Sequence, residues 1–290
     1  MRNEQRSLVG KRIAITGSTG GLGRELCAAL AALGASLVLL DRDQVRSEAH
    51  RESLKARFDA EVICLPLELE DMYSVKEVTD RLLTLGIDIL IHNAGAYSIP
   101  RRTCDSGYDN VFQINFASPY YMICRLMPML RSRGGRVLAV GSIAHTYSRI
   151  DPSDVDFASR KAASKVYGNA KRFLMFSLYA LFREEKEAHL AVTHPGITLT
   201  NITAHYPKWI FALVKYPMKV LFMSPKKAVL SIVQGVWEDT APNEWIGPRW
   251  FAVWGRPKKS RLRTCSAEEA KTIATLADEV YRRCEETVKE

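Results

Sequence analysis

Nowhere in the 290 residues do two cysteines stand in a C-x-x-C spacing. Cys27, Cys64, Cys104, Cys124, Cys265 and Cys284 are scattered, several of them in apolar runs where a thiol behaves as a small hydrophobe. That argues against a zinc site or a disulfide framework and suits a reducing, cytoplasmic setting. No run of about 18 apolar residues exists, so no membrane-spanning helix is expected. The N-terminus, Met1-Arg2-Asn3-Glu4-Gln5-Arg6, lacks the apolar core of a signal peptide. Internal repeats, low-complexity segments and linker-like breaks are absent too, which leads us to expect one domain over residues 1–290. His92, His145 and His194 fall in different predicted elements without ligand spacing, so no metal is expected.

What is present is ordinary for a globular chain: 47% apolar and 25% charged residues, enough to bury a sizeable core. The net charge of +9 has its densest cluster late, at Arg249, Arg256, Lys258, Lys259, Arg261 and Arg263. A solvated basic face or weak peripheral contact with anionic lipid headgroups accounts for it; no nucleic-acid partner is expected.

Short β-branched or apolar runs alternate with helical patterns. Ile13-Ala14-Ile15-Thr16 leads into Gly17-Ser18-Thr19-Gly20-Gly21-Leu22-Gly23, then an apolar stripe at Leu22, Leu26, Leu30 and Leu33. Ser36 to Leu40 is a continuous apolar run stopping at Asp41, as expected of a strand covered on both faces. Further strands are read at 62–65, 87–91, 136–140 and 189–193. Helices are read at 43–58, 71–85, 107–131 (bent near Pro119), 157–185 and 225–238. A last strand at 245–254 and a C-terminal helix at 266–288 complete the pattern. Such alternation predicts right-handed crossovers and an α/β fold: a Rossmann-like, doubly wound parallel sheet with helices on both faces. Residues 199–223 mix Trp209, Phe211 and other apolar side chains with Lys208, Lys215 and Lys219; a substrate lid, an interface or a membrane-contact helix is expected there.

Three stretches carry chemistry. In the glycine turn, Gly17, Gly21 and Gly23 let the backbone approach a pyrophosphate, and the helix that follows offers unpaired N–H groups, among them those near Ser18, Thr19 and Leu22. Asp41, ending the second strand, suits the ribose hydroxyls of NAD, whereas the adjacent Arg42 suits the 2′-phosphate of NADP; with no cation among Ser18, Thr19 and Gly20, NAD is favoured. Finally, Tyr167-Gly168-Asn169-Ala170-Lys171 places a phenol and an ammonium on one helix face. A free Tyr titrates near 10, and a neighbouring cation is expected to lower that, giving an acid/base for a carbonyl or alcohol.

Thr16-Gly17-x-x-x-Gly21-x-Gly23, Asn93-Ala94-Gly95, Asn115, Ser142, Tyr167-x-x-x-Lys171 and Pro195-Gly196 occur in the order and approximate spacing of the short-chain dehydrogenase/reductase family, which residues 9–255 resemble. The resemblance implies an NAD(P)-dependent oxidoreductase with Tyr167 as acid/base. Lys171 would lower the Tyr167 pKa and hold the nicotinamide ribose, Ser142 would bind the substrate oxygen, and Asn115 would support a water relay. It further implies that Asn93, Ala94 and Gly95 line the cofactor, with Pro195, Gly196, Thr198 and Thr200 closing over the nicotinamide and diphosphate. The long Ser142-to-Tyr167 gap, with Ile143 to Phe157 as a loop at the site mouth, is similar to the retinol-dehydrogenase-like branch, whose substrates are lipophilic alcohols, aldehydes or ketones. A homodimer or homotetramer through helices 107–131 and 157–185 is also implied. A catalytically silent dinucleotide sensor on the same fold is the alternative.

Overall fold

Wherever an apolar run meets a glycine or polar stop, a strand forms. A computed structural model describes residues 7–196 and 223–289; Thr198, Thr200 and all of the 199–223 stretch except Met223 lie outside the described residues. The strands are β1 (Arg12–Thr16), β2 (Ser36–Asp41), β3 (Val62–Pro66), β4 (Ile89–His92), β5 (Arg136–Val140), β6 (His189–Thr193), β7 (Glu244–Trp250) and β8 (Trp254–Arg261). They join one eight-stranded sheet in the order β3-β2-β1-β4-β5-β6-β7-β8. Pairing is parallel as far as β7, and β8 is antiparallel at the edge. The central strands are buried along nearly their whole length, which is why they read as unbroken apolar runs.

The helices are α1 (Gly21–Ala31), α2 (Gln44–Phe58), α3 (Met72–Leu85), α4 (Asn110–Phe112), α5 (Ser118–Ser132), α6 (Ala163–Leu181), α7 (Pro225–Gly235) and α8 (Ala267–Thr287). Three start on the carboxylate caps that local physics demands: Asp43 accepts from the Arg46 N–H at 3.0 Å, Asp71 from the Tyr73 N–H at 2.8 Å and Asp109 from the Val111 N–H at 3.0 Å. One core layer joins α1, α2 and α7 to the sheet through Leu26, Leu30, Leu54, Val229 and Ile232. The other joins α3, α5, α6 and α8 through Val75, Leu82, Tyr121, Phe173 and Ile273. Truncating one of these leucines to alanine costs about 2–5 kcal/mol, because a close-packed interior cannot collapse into the hole.

Three expectations change. The distortion in the 107–131 helix is not at Pro119, which sits harmlessly in the first turn of α5; it is a π-helical turn, Gln113–Ala117, centred on Asn115. The 157–185 helix begins only at Ala163, because Phe157 takes a left-handed φ of 56° and ends a turn. The last strand divides into a hairpin: β7 stops at Trp250, Phe251 and Ala252 turn with φ of 53° and 56°, and β8 returns. The chain's own α8 packs against α5 and α6. Tyr281 stacks on Tyr121 at 5.7 Å, and Arg125 reaches Glu285 at 3.3 Å.

Candidate active site

The strand order reverses between β1 and β4, and the crevice at the carboxyl ends of such strands is where open α/β sheets bind ligands. All three sequence stretches converge there. Gly17 has a φ of 69°, and a Cβ on it would come within 3.0 Å of Ala94. A Cβ on Gly23 would lie 2.2 Å from the Gly17 carbonyl oxygen, so only glycine lets α1 start this close to the turn. The helix has no side-chain cap and no acidic residue in its first turn, leaving its N–H groups as donors for an anion. This cradle fits a dinucleotide diphosphate.

Asn93 fastens the turn to β4. Its side-chain amide donates to the carbonyl oxygens of Thr16 at 3.1 Å and Gly17 at 3.0 Å, while the Thr16 hydroxyl accepts from the Asn93 and Ala94 N–H groups. Asn93 thus shapes the cofactor side of the sheet with its amide nitrogen committed to the backbone.

Asp41, at the carboxyl end of β2, is already engaged by the glycine turn. It is buried, and its carboxylate accepts from the Ser18 hydroxyl, the Thr19 N–H and hydroxyl (both 3.0 Å) and the Ser47 hydroxyl (3.3 Å). A carboxylate offers about four lone-pair sites, and the turn uses them. Outside this knot stand cations that inspection of residues 18–20 missed. Arg24 and Arg46 both donate to the Thr19 carbonyl oxygen at 3.1 Å, and the exposed Arg42 is 3.7 Å from Glu68. Asp41 therefore does not favour NAD: the carboxylate expected to repel a 2′-phosphate is buried and bonded to Ser18, Thr19 and Ser47.

Ser142 ends β5 in extended conformation and caps the 3₁₀ turn Ile143–Tyr147, accepting from the Ala144 N–H at 3.2 Å. Its hydroxyl also hydrogen-bonds Tyr167. Gly168, which carried no expectation, makes that contact possible. A Cβ there would sit 2.4 Å from the Ala144 carbonyl oxygen, so only glycine lets α6 press against the serine turn. Lys171 lies four residues on, its Nζ 5.7 Å from the Tyr167 ring centroid and donating to the Val140 carbonyl oxygen at 3.0 Å. The structure thus brings Ser142, Tyr167 and Lys171 to one place. Asn115 joins them from the π turn: its amide donates to the carbonyl oxygens of Ala96 (2.9 Å) and Val111 (2.8 Å). Asn115 Oδ1 has no partner among the described residues. A Cβ on Gly95 would meet that Oδ1 at 2.9 Å and the Lys171 Nζ at 3.5 Å.

The electrostatics run against the simple expectation. Burial pushes the Tyr167 phenol up to about 12, with the Ser142 hydrogen bond opposing and the Tyr97 phenol adding to the rise. Burial also brings the Lys171 ammonium down to about 7. An amine that is only part-protonated at neutral pH has little charge with which to acidify its neighbour. Here Tyr167 is a protonated phenol, its ring edge-on to Tyr97 at 5.4 Å.

Behind the serine turn lies a second set of groups with no motif in the sequence. Arg172 is fully buried, pairs both ways with the Glu269 carboxylate of α8, and donates to the His145 carbonyl oxygen at 3.0 Å and to the Thr264 carbonyl oxygen. His145 in turn bridges the Ser142 carbonyl oxygen at 2.6 Å and the Thr264 hydroxyl at 3.0 Å. The insert Ile143 to Phe157 is likewise tied down, by Asn169 donating to the Val155 carbonyl oxygen at 2.8 Å and by Phe157 buried against Val111 and Val166. Pro195 and Gly196 end β6 and are buried; at a φ of 84°, a Cβ on Gly196 would be 2.6 Å from the Val253 carbonyl oxygen of the hairpin turn.

Sheet order, glycine cradle and the Ser142, Tyr167, Lys171 cluster define a dinucleotide-binding α/β protein. Residues 11–210 match the model described as short chain dehydrogenase, and the chain belongs to that family. It is 28% identical over 207 residues to the chloroplastic short-chain dehydrogenase TIC 32 A of Brassica napus, covering 66% of this chain and 65% of that one. It is 27% identical over 258 residues to polyprenol dehydrogenase of Mus musculus (83% of this chain, 75% of that one) and 26% identical over 206 residues to human retinol dehydrogenase 13 (69% and 62%). The match therefore spans just under two thirds of the length of some of these relatives. Among solved structures, a protein from Mycobacterium paratuberculosis superposes with a TM-score of 0.74 over 99% of this chain and 96% of that chain, at 24% identity. A short-chain dehydrogenase from Sphingobium yanoikuyae in complex with NADPH superposes with a TM-score of 0.61 over 78% and 83%, also at 24% identity.

Proposed function

We propose that this chain is an NADP(H)-dependent oxidoreductase acting on a hydroxyl or carbonyl of a lipophilic small molecule. The observation that carries the reaction type is the meeting of Ser142, Tyr167 and Lys171 at the switch point of the sheet. A bound nicotinamide dinucleotide supplies or accepts the hydride. The protein's share is orientation and the proton. Ser142 holds the substrate oxygen beside the Tyr167 hydroxyl, and Tyr167, protonated at neutral pH, gives its proton to a carbonyl oxygen as negative charge develops there. Lys171, titrating near 7, restores the proton, while Asn115 Oδ1, unpartnered among the described residues and close to Gly95 as Lys171 is, remains free to accept a bond.

NADP is preferred over NAD in this reading because Asp41 is saturated from within, while Arg24 and Arg46 converge on the Thr19 carbonyl oxygen and the exposed Arg42 follows Asp41 directly. The NADPH in the Sphingobium neighbour and the lipid alcohols named for the retinol and polyprenol relatives point the same way for cofactor and substrate class. A homodimer or homotetramer remains part of the proposal, with size-exclusion chromatography coupled to light scattering as its test.

The test is a thermal-shift comparison of NADP(H) with NAD(H), followed by turnover of a lipophilic alcohol and ketone panel. Larger stabilisation by NADP(H), reduced about tenfold in affinity by Arg46→Ala, is expected from the loss of one charge-assisted contact. Stabilisation by NAD(H) alone would overturn the cofactor assignment. Cofactor binding without turnover across the panel would favour a silent sensor.

A further inference from the structure

Eight large apolar side chains are exposed among the described residues, and three of them lie within five positions: Trp250 at 53%, Phe251 at 81% and Trp254 at 40%. They form the tip of the β7–β8 hairpin, with Trp254 edge-on to Phe251 at 6.5 Å. Singly exposed apolar residues need no explanation, but a contiguous aromatic tip does. The turn itself sharpens the point. The Val253 N–H donates to the Trp250 carbonyl oxygen at 2.9 Å, and the two central residues, Phe251 and Ala252, both have positive φ. Hairpin turns of this kind ordinarily use Asn and Gly. A phenylalanine there is a poor choice for folding and projects its ring into solvent.

The strand behind the tip is basic. Arg249, Arg256, Lys258, Lys259, Arg261 and Arg263 are all exposed, and none forms an ion pair among the described residues. Trp250 carries the Arg249 guanidinium over its ring at 5.5 Å. Strand β8 is a sheet edge, yet it carries Pro257 opposite Pro248, and pairing it with a second copy about a two-fold axis would set like charges face to face. The partner must therefore be anionic and must also accept aromatic rings. A bilayer surface bearing acidic headgroups does both: tryptophan and phenylalanine settle at the headgroup level, and lysine and arginine meet the negative leaflet.

We propose that the β7–β8 hairpin docks the protein onto an anionic lipid bilayer, with Trp250, Phe251 and Trp254 entering the interface and the basic strand lying against the headgroups. The location gives this contact a consequence. The Val253 carbonyl oxygen and Pro248 of the same hairpin press on Gly196, at the end of β6 beside the active-site crevice. Docking would set that crevice close to a lipid surface. The proposal stands on the hairpin alone and does not require the reaction assigned above.

The experiment is flotation of the full chain with phosphatidylcholine vesicles, with and without phosphatidylglycerol. Flotation is expected only with phosphatidylglycerol and is expected to be lost in about 1 M salt, where the screening length falls to about 3 Å. Lys258→Glu/Lys259→Glu should weaken vesicle binding by at least roughly tenfold, since each basic residue near a negative surface contributes about a fivefold gain. Phe251→Asn should weaken it as well, while its melting temperature stays equal or rises, because asparagine suits the left-handed turn. That stability control separates lost docking from misfolding. Absence of flotation with acidic vesicles would overturn the proposal. So would equal flotation of both variants, or binding of a single-stranded oligonucleotide in place of vesicles.

Discussion

The glycine turn and the Tyr167 face are both polar and both partly buried, yet they satisfy their polar groups very differently. Around the turn, Asp41 takes bonds from Ser18, Thr19 and Ser47, and Asn93 closes the remaining backbone carbonyls. At the Tyr167 face, the Lys171 ammonium has one bond, to a backbone carbonyl, and Asn115 Oδ1 and His92 Nε2 have none among the described residues. A saturated network fixes a shape. An undersatisfied one leaves buried ionisable groups displaced from their ordinary ranges, as burial raises Tyr167 and lowers Lys171. The turn is scaffold; the face is chemistry.

Variants can break or sharpen this contrast. The largest effect belongs to Tyr167→Phe, which deletes one hydroxyl at the face. Turnover should fall by about 10²–10⁴-fold, the usual worth of a positioned acid/base, while dinucleotide affinity stays within about twofold. Steady-state kinetics beside a cofactor titration decides it, and turnover equal to wild type would remove Tyr167 from its role.

Gly168→Ala comes next, because it strikes the seam between α6 and the serine turn. The new Cβ must displace the Ala144 carbonyl oxygen, at a cost of about 1–3 kcal/mol for overpacking, and kcat should fall more than KM rises as Ser142 draws away from Tyr167. Denaturant unfolding and kinetics on one preparation read both. Unchanged kcat would show that the seam does not position the serine.

Asp41→Ala should behave as a scaffold lesion. Three hydroxyls and one N–H lose their acceptor, destabilising the fold by about 2 kcal/mol, and NAD and NADP should weaken in parallel rather than exchange rank. A gain in NADP affinity with NAD affinity lost would mean that Asp41 does meet the ribose after all.

The smallest effect is a slope. Lys171 titrates near 7 in the folded chain, below its unfolded value of 10.5. Between those values the unfolded chain binds the extra proton, so this residue makes stability rise with pH across the window and costs most below pH 7. Urea unfolding of Lys171→Met at pH 7 and 9, compared with wild type, should show a flatter pH dependence. Identical slopes would place the buried charge elsewhere.

Much of this architecture is written locally. The strand runs between glycine or polar stops, the carboxylate caps Asp43 and Asp71, and the four-residue step from Tyr167 to Lys171 all act within one or two turns of chain, so a reader of the sequence can find them. The second half of the hairpin was harder to see. Strand β8 is exposed on both faces and contains Gly255 and Pro257, so it shows no apolar alternation. The π turn Gln113–Ala117 was hidden as well, since its residues look helical in sequence and only the backbone hydrogen-bond spacing sets it apart.

By itself, then, the sequence determined the alternation of strands and helices, the glycine approach to a diphosphate and the pairing of phenol with amine, because each depends on neighbours along the chain. Tertiary structure decided that Asp41 faces inward to Ser18 and Thr19, that Gly168 seats α6 on the serine turn, and that Arg172 ties Glu269 of α8 behind the site. Those outcomes turn on groups twenty to a hundred residues apart competing for the same buried hydrogen bonds, and only the folded packing settles which partner each one keeps.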